Sequence, residues 1–483
     1  MSIILDKEPK LLWKHFDELR KIPRCSKHEE KVRQYVLDFA KAQGLISNVD
    51  DAGNVVISKP ASPGYENKPV LVLQGHLDMV CEKNSDLEFD FSTDPIRLKL
   101  DGDWLTAEGT SLGADNGIGV ATTLAILEDP TQKHGAIEGL FTVDEETGLT
   151  GAFQLKSDFL IGRTMLNLDS EKEGAICVGC AGGGDTTIKL PAVSMATPAG
   201  VKGVVVKVSG LRGGHSGVDI HEQRGNAIKI LARILSKASK EVGLNIVEIS
   251  GGSKRNAIPR EASAKLVVKE GEFENVKSEI KNEESAILAE IKPIDPDFSV
   301  AFEDFTPPEK VLNNETQDKL LNLLNALPHG VLAMNFDIPD LVETSTNLAT
   351  ITTHADNIEV GMSSRSSIAT ALQATRNTLR AIATLAGAEV TENPAYPGWK
   401  PDLNSNILKL TKGIMNEIYG KEPKIEAIHA GLECGIIGEK FKGMDMISIG
   451  PDLKYPHSPD EKVHIGSVQR VYELVLKVLD KFD

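Results

Sequence analysis

The chain has 483 residues, a formal net charge of −17, and 41% hydrophobic and 25% charged residues. That length exceeds what a single hydrophobic core supports, so two domains are expected. The acidic balance opposes binding to nucleic acid, whose affinity comes from Lys and Arg displacing counterions on phosphates. No apolar stretch approaches the ~20 residues of a spanning helix, so a membrane is not an expected partner either.

From the N-terminus, MSIILDKEPKLLWKHFDELRKIP carries Leu12, Phe16 and Leu19 at helical spacing and lacks the charged-then-apolar form of an export signal, so it reads as a first helix. Five thinly spread cysteines do not resemble a disulfide framework; with no export signal they point to a reducing, cytoplasmic setting. ENKPVLVLQGH is a continuous apolar run, the mark of a strand buried on both faces, and GLFTVDEETG and TMLNLDSE repeat the form. Between the first two, NGIGVATTLAILED places Ile118, Thr122 and Ile126 on one helical face and stops at Asp129 and Pro130. The expected fold is α/β, a mostly parallel sheet with helices on both faces.

Near Pro191 the texture changes. PAVSMATPAGVKG is turn-rich and GVVVKVSG alternates like a half-exposed strand. HEQRGNAIKIL, with His221, reads as an amphipathic helix. EASAKLVVKEGEFENVKSEIKNEESAILAEI reads as a strand and a long charged helix, and VETSTNLATITTHADNIEVGMSSRSS as two strands joined by a turn. The expected layout is an inserted α+β domain. AYPGWKPDLNSN reads as the return linker, after which ILKLTKGIMNEIYG and MDMISIGP resume the first style. The expected division is 1–186 with 400–483 for the α/β domain and 187–399 for the insertion.

Sheets of this architecture bind ligands beyond the carboxyl ends of their strands. His76, Asp78, Glu145, Glu146 and Asp169 all follow such ends, and Asp115 opens the Asn116 helix. Singly, a helix cap or a solvated acidic turn would explain each acid. Together they are expected to converge on cations. In GHLDMV, His76 and Asp78 share a side if strand geometry continues, which suits an imidazole ligand oriented by a carboxylate, or an aspartate touching ligand and substrate. In SLGADNGIG, glycines let the backbone approach a crowded centre while Asp115 projects a carboxylate able to bridge two cations. In VDEETG, adjacent acids repel unless a metal divides their roles, one as ligand and one as general base. Asp169 in NLDSE is a further ligand, with Glu171 and Glu173 as surface charge. Cys177 and Cys180 form a CxxC with no second pair, read as structural, whereas histidine and carboxylates with an open position suit catalytic zinc and admit cobalt or manganese.

GHLDMV, GADNGIG, DEETG, NLDSE and the late PHSPDE resemble the ordered motif set of co-catalytic zinc exopeptidases, in particular the aminoacyl-histidine dipeptidases, over essentially the whole chain. The resemblance implies two zinc ions: Asp115 bridging, His76 and Asp169 completing one site, and Glu146 and His457 the other. It makes Glu145 the general base and Asp78 the carboxylate that orients His76. Spacing alone does not choose between His457 and His464; only the family pattern favours His457.

The resemblance further implies a lid that captures substrate and forms a homodimer. There His215, in LRGGHSGVD, stabilises the oxyanion in its own subunit or across the dimer. Asn256 and Arg365 face the substrate, Arg365 being suited to gripping a terminal carboxylate. HAGLECG, from His429 to Gly435, looks like the dipeptidase subgroup; its glycines and Glu433 shape the pocket for the second residue or receive the free amine, and His429 is counted with Glu433 among the substrate-binding residues. His28, His221, His329 and His354 have no partner motif and are read as structural or exposed. The implied reaction is hydrolysis of unblocked dipeptides, Xaa-His and carnosine-like substrates included. An N-acyl amino acid deacylase, a carboxypeptidase or a tripeptide aminopeptidase is the alternative within the family, and a non-catalytic peptide-binding homologue the alternative outside it. Aspartate at 169 leans toward the peptidases that act at a free amine.

Overall fold

The apolar runs ending in acid or histidine become the parallel centre of an eight-stranded sheet in the computed structural model, which describes residues 2–483. Contacts divide the chain into residues 1–180, 399–427 and 432–483 as one unit, and 181–398 with 428–431 as a second.

In the first unit the sheet order is Ile46–Val49, Val55–Lys59, Ile137–Thr142, Leu71–His76, Thr164–Asn167, Asp445–Ser448, Ala175–Cys180, Lys424–Ile428. The four central strands pair in parallel, whereas Val55–Lys59 pairs antiparallel on both sides. Leu71, Val72 and Leu73 are all buried, as a strand covered on both faces requires. Helix Ala114–Glu128 covers one face, and helix Glu433–Lys440 brings Cys434, Ile436 and Ile437 to Val72, Leu140 and Met165 on the other. Cys177 and Cys180 lie buried in that same core, in keeping with their structural reading.

The second unit is built on an antiparallel sheet ordered Ser299–Phe305, Val201–Ser209, Ala262–Lys269, Asn245–Gly251, Val342–Thr353, Asn357–Ser366, Gly182–Pro191, Glu389–Glu392, with Gly330–Met334 as a further partner of Val342–Thr353. Helices Ala227–Glu241, Phe273–Ile291, Asn314–Ala326 and Ala369–Leu385 bury their apolar faces against it.

Three details differ from the sequence reading. The chain enters the second unit at residue 181, not 187, because Gly182–Pro191 already pairs with Asn357–Ser366; the turn-rich stretch taken as the border lies beyond that strand. His221 is not on the long helix. It sits in the short 3-10 turn Ile220–Glu222, ended by Gln223 at φ 55°, and the α-helix starts only where the Asn226 side chain accepts from the amides of Ile228 and Lys229. Finally, Cys25 and Cys81 form a disulfide across 56 positions. The segment after the first helix runs beside the chain leaving Leu71–His76, the Met79 amide donating to the Arg24 carbonyl, and this brings the two cysteines together without any spacing signature. Among the described residues, no helix is long and apolar enough to cross a membrane.

Candidate metal centre

Register explains why residues so far apart in sequence meet. Gln74 pairs with Asn167, His76 with Thr142 and Ser448 with Asn167, so the parallel strands end at one level and their trailing residues emerge on one edge. His76 closes its strand, Asp78 follows it, Glu145 and Glu146 open the short helix after Ile137–Thr142, and Asp169 follows Thr164–Asn167. His457 arrives because Asp445–Ser448 is the fourth parallel strand. Asp115 stands at the mouth of Ala114–Glu128 with non-helical angles. The neighbouring glycines are sterically required: a Cβ on Gly75 or on Gly119 would fall 2.2 or 2.3 Å from the Asn116 side-chain oxygen.

The result is a tight donor cluster. His76 Nε2 lies 3.1 Å from Asp115 Oδ1 and 3.3 Å from Asp169 Oδ1. His457 Nε2 lies 3.2 Å from Asp115 Oδ2 and 3.0 Å from Glu146 Oε2. Each Asp115 oxygen thus faces a different histidine, and two triads, His76–Asp115–Asp169 and Asp115–Glu146–His457, have all their ligand atoms within 4.8 Å of one another. Glu145 falls within the same limit of His76 and Glu146.

Electrostatics test whether cations fit. Burial pushes Asp169 up to about 6, against the pull of His76. Burial likewise holds the Glu145 carboxyl well above the usual range. Hydrogen bonds to Asp115 and Glu146 push His457 up to about 11. Burial works to lower His76, but the Asp169 charge and its carboxylate hydrogen bonds carry it well above an ordinary imidazole. Burial thus disfavours charge on Glu145 and Asp169, and cations placed among these groups would favour their ionised forms. Glu146 Oε1 is buried with no hydrogen-bond partner. Imidazole nitrogens and carboxylate oxygens in this number fit a pair of divalent transition-metal ions.

Asp78 is fully buried, and its carboxylate does more than orient one ring. His76 Nδ1 sits 3.3 Å from its Oδ1 and 3.2 Å from its carbonyl, which leaves Nε2 for a ligand. The amides of Glu145 and Glu146 donate to its two oxygens at 3.1 Å each, and the Ser26 hydroxyl donates at 2.8 Å. One carboxylate thereby positions both glutamates.

Other expected residues fall differently. Glu433 is buried in the first unit, accepting from Gln74 Nε2 at 2.6 Å and from the Thr142 hydroxyl at 2.7 Å, and burial pushes it up to about 7. His429 belongs to the second unit. Within the second unit, the amides of Gly217 and Val218 both donate to His215 Nδ1, at 3.2 and 3.1 Å. That fixes the tautomer with Nε2–H as donor, while burial and the Arg365 charge keep the ring neutral by lowering its pKa. Arg365, buried, donates to the Tyr396 hydroxyl at 2.8 Å. His429 Nε2 lies 2.7 Å from the Ser345 hydroxyl, and burial, then Arg365, pushes it down to about 3. Asn256 is exposed, on a loop held by Asn347 Nδ2 donating to the carbonyls of Arg255 and Ala257. Glu173, read as surface charge, is the bidentate partner of Arg470 at 2.6 Å. No role is read from the sequence for Tyr396, Ser345, Asn347, Arg24 or Glu461, although Glu461 closes the PHSPDE motif.

Residues 206–295 match the family model described as a peptidase dimerisation domain. The chain is 40% identical to the cytosol non-specific dipeptidase of Escherichia coli (strain K12) over 479 residues, 99% of each chain. It superimposes on the crystal structure of aminoacylhistidine dipeptidase from Vibrio alginolyticus with a TM-score of 0.93 and 43% identity, over 100% of this chain and 98% of that one. An aminopeptidase from Bacillus cereus shares the fold, with a TM-score of 0.57 and 16% identity over 98% of each chain. The chain belongs to the M20 family of metallopeptidases, that of the cytosol non-specific and aminoacylhistidine dipeptidases.

Proposed function

We propose that the protein is a cytoplasmic, homodimeric dipeptidase that hydrolyses unblocked dipeptides, Xaa-His among them, with two zinc ions held by His76, Asp115, Asp169, Glu146 and His457. The observation that carries this reading is Asp115, whose two oxygens face two different imidazoles. Bound there, the cations would supply Lewis acidity and lower the pKa of water toward ~7. Glu145 takes the proton from the attacking water and returns it to the leaving amine; burial raises its carboxyl well above the usual range, which makes it a stronger base than an exposed glutamate. Asp78 keeps Glu145 in register through its amide. The family resemblance supports giving His215 the role of N–H donor to the oxyanion, in its own subunit or across the dimer, and Arg365 that of a guanidinium for the substrate carboxylate. The names of two relatives matched at full length and 40% identity or more support a dipeptide substrate over the tripeptidase reading. The name of the Escherichia coli relative supports the cytoplasm, and the matched dimerisation domain supports a homodimer.

The reading is tested by a panel of carnosine, other Xaa-His dipeptides, dipeptides lacking histidine, a tripeptide and an N-acetylated amino acid. Dipeptides with a free amine are expected to exceed the acetylated amino acid in kcat/KM by at least about 10²-fold. Faster cleavage of the acetylated compound or the tripeptide would replace the dipeptidase reading with one of the family's other activities.

A further inference from the structure

Glu461 lies four positions after His457, is 2% exposed, and belongs to neither triad. Its carboxylate is bound entirely by backbone. Oε2 accepts from the amides of Leu112 and Gly113 at 2.7 and 2.9 Å, and Oε1 from those of Ala114 and Asp115 at 2.8 and 3.2 Å. These four consecutive amides belong to the turn that leads into helix Ala114–Glu128 and presents Asp115, with Gly113 left-handed and Asp115 non-helical, and converging backbone N–H groups of this kind form a concavity that favours an anion. The opposite side of the same segment is held by buried Arg24. Its Nη2 donates to the Gly113 carbonyl, and its Nη1 to the carbonyls of Leu77 and Asp78 at 3.1 and 2.9 Å. Any side chain at Gly113 would collide with that guanidinium, 2.5 Å from the ideal Cβ. The Glu461 backbone is pinned as well, its carbonyl accepting from the Thr106 hydroxyl at 2.7 Å.

A turn of converging amides needs some partner, and solvent or a nearby side chain would satisfy it. Here the partner is a charged group from the C-terminal part of the chain, on the same short segment as the second imidazole. We infer that Glu461 is a positioning residue that ties the His457 segment to the Asp115 segment, so that the bridging carboxylate and the second histidine meet at the spacing two cations need. The inference rests on the two-cation reading above. Its consequence is selective: loss of the clamp loosens the His457 segment, whereas the Asp115 segment stays held by Arg24 at the Gly113 carbonyl, and His76 and Asp169 by their own strands.

Glu461→Gln keeps the shape but replaces one amide acceptor with an NH₂ group that opposes the donors. Wild type and variant are stripped with chelator and titrated with zinc by equilibrium dialysis and metal analysis, with circular dichroism and thermal melting in parallel. The variant is expected to fold, to bind its first zinc as the wild type does, and to bind the second about 10- to 100-fold more weakly. At subsaturating zinc, kcat should fall with little change in KM, and Glu461→Asp should recover part of the second-site affinity. Two zinc ions bound at wild-type affinity by a folded Glu461→Gln protein would overturn the inference. So would a lowered melting temperature with both affinities intact, which marks a staple of the fold alone. Failure of both variants to fold would overturn it for the same reason. A wild-type protein that binds no zinc would instead sink the two-cation reading itself.

Discussion

Glu145→Gln is expected to lower kcat by about 10³-fold, roughly 4 kcal/mol of transition-state stabilisation, while the protein keeps both metal ions and its melting temperature. Glutamine fills the same volume and keeps its backbone amide on Asp78, so the position of residue 145 and of its neighbour Glu146 is unchanged. What disappears is the ability to accept a proton in a pocket where burial already raises the carboxyl well above its ordinary range. KM for an Xaa-His dipeptide should move little, since a base contributes to the transition state and not to ground-state binding. Steady-state kinetics alongside metal analysis make the check. Turnover within tenfold of wild type would remove Glu145 from the mechanism.

Asp115→Ala should be the more damaging ligand change, because its carboxylate belongs to both triads while Asp169 belongs to one. Zinc content is expected to fall well below two per chain in Asp115→Ala, and to remain near one in Asp169→Ala. Activity should drop at least about 10³-fold in the former, as the means of activating water is lost. The truncation also leaves His76 and His457 without their shared anion, 3.1 and 3.2 Å away. Retention of two ions by Asp115→Ala would mean that the carboxylate does not bridge.

The first-domain elements were legible because their physics is local. A run such as VLVLQGH can bury both faces only inside a covered sheet, and the acids that end such runs mark the edge where ligands bind. The choice between His457 and His464 was not local. In the structure His464 Nδ1 accepts the Ser467 amide at the start of the last helix and its ring stacks edge-on against Trp104 at 5.1 Å, so it is spent on a cap. His457, at φ 59°, turns to the cluster. Glu461 stood in the PHSPDE motif without a role, since its partners are backbone amides that carry no sequence identity. The Cys25–Cys81 pair and the Arg365–Tyr396 contact depend on chain crossings that no spacing encodes. His221 was misread because an amphipathic pattern continues through Gln223, where the backbone turns left-handed and ends the first turn.

The most direct test of the central claim is reconstitution of chelator-treated protein with zinc while hydrolysis of an Xaa-His dipeptide is followed. The account predicts an inactive apoprotein whose activity returns as two equivalents per chain are bound. Full turnover by demonstrably metal-free protein would contradict it.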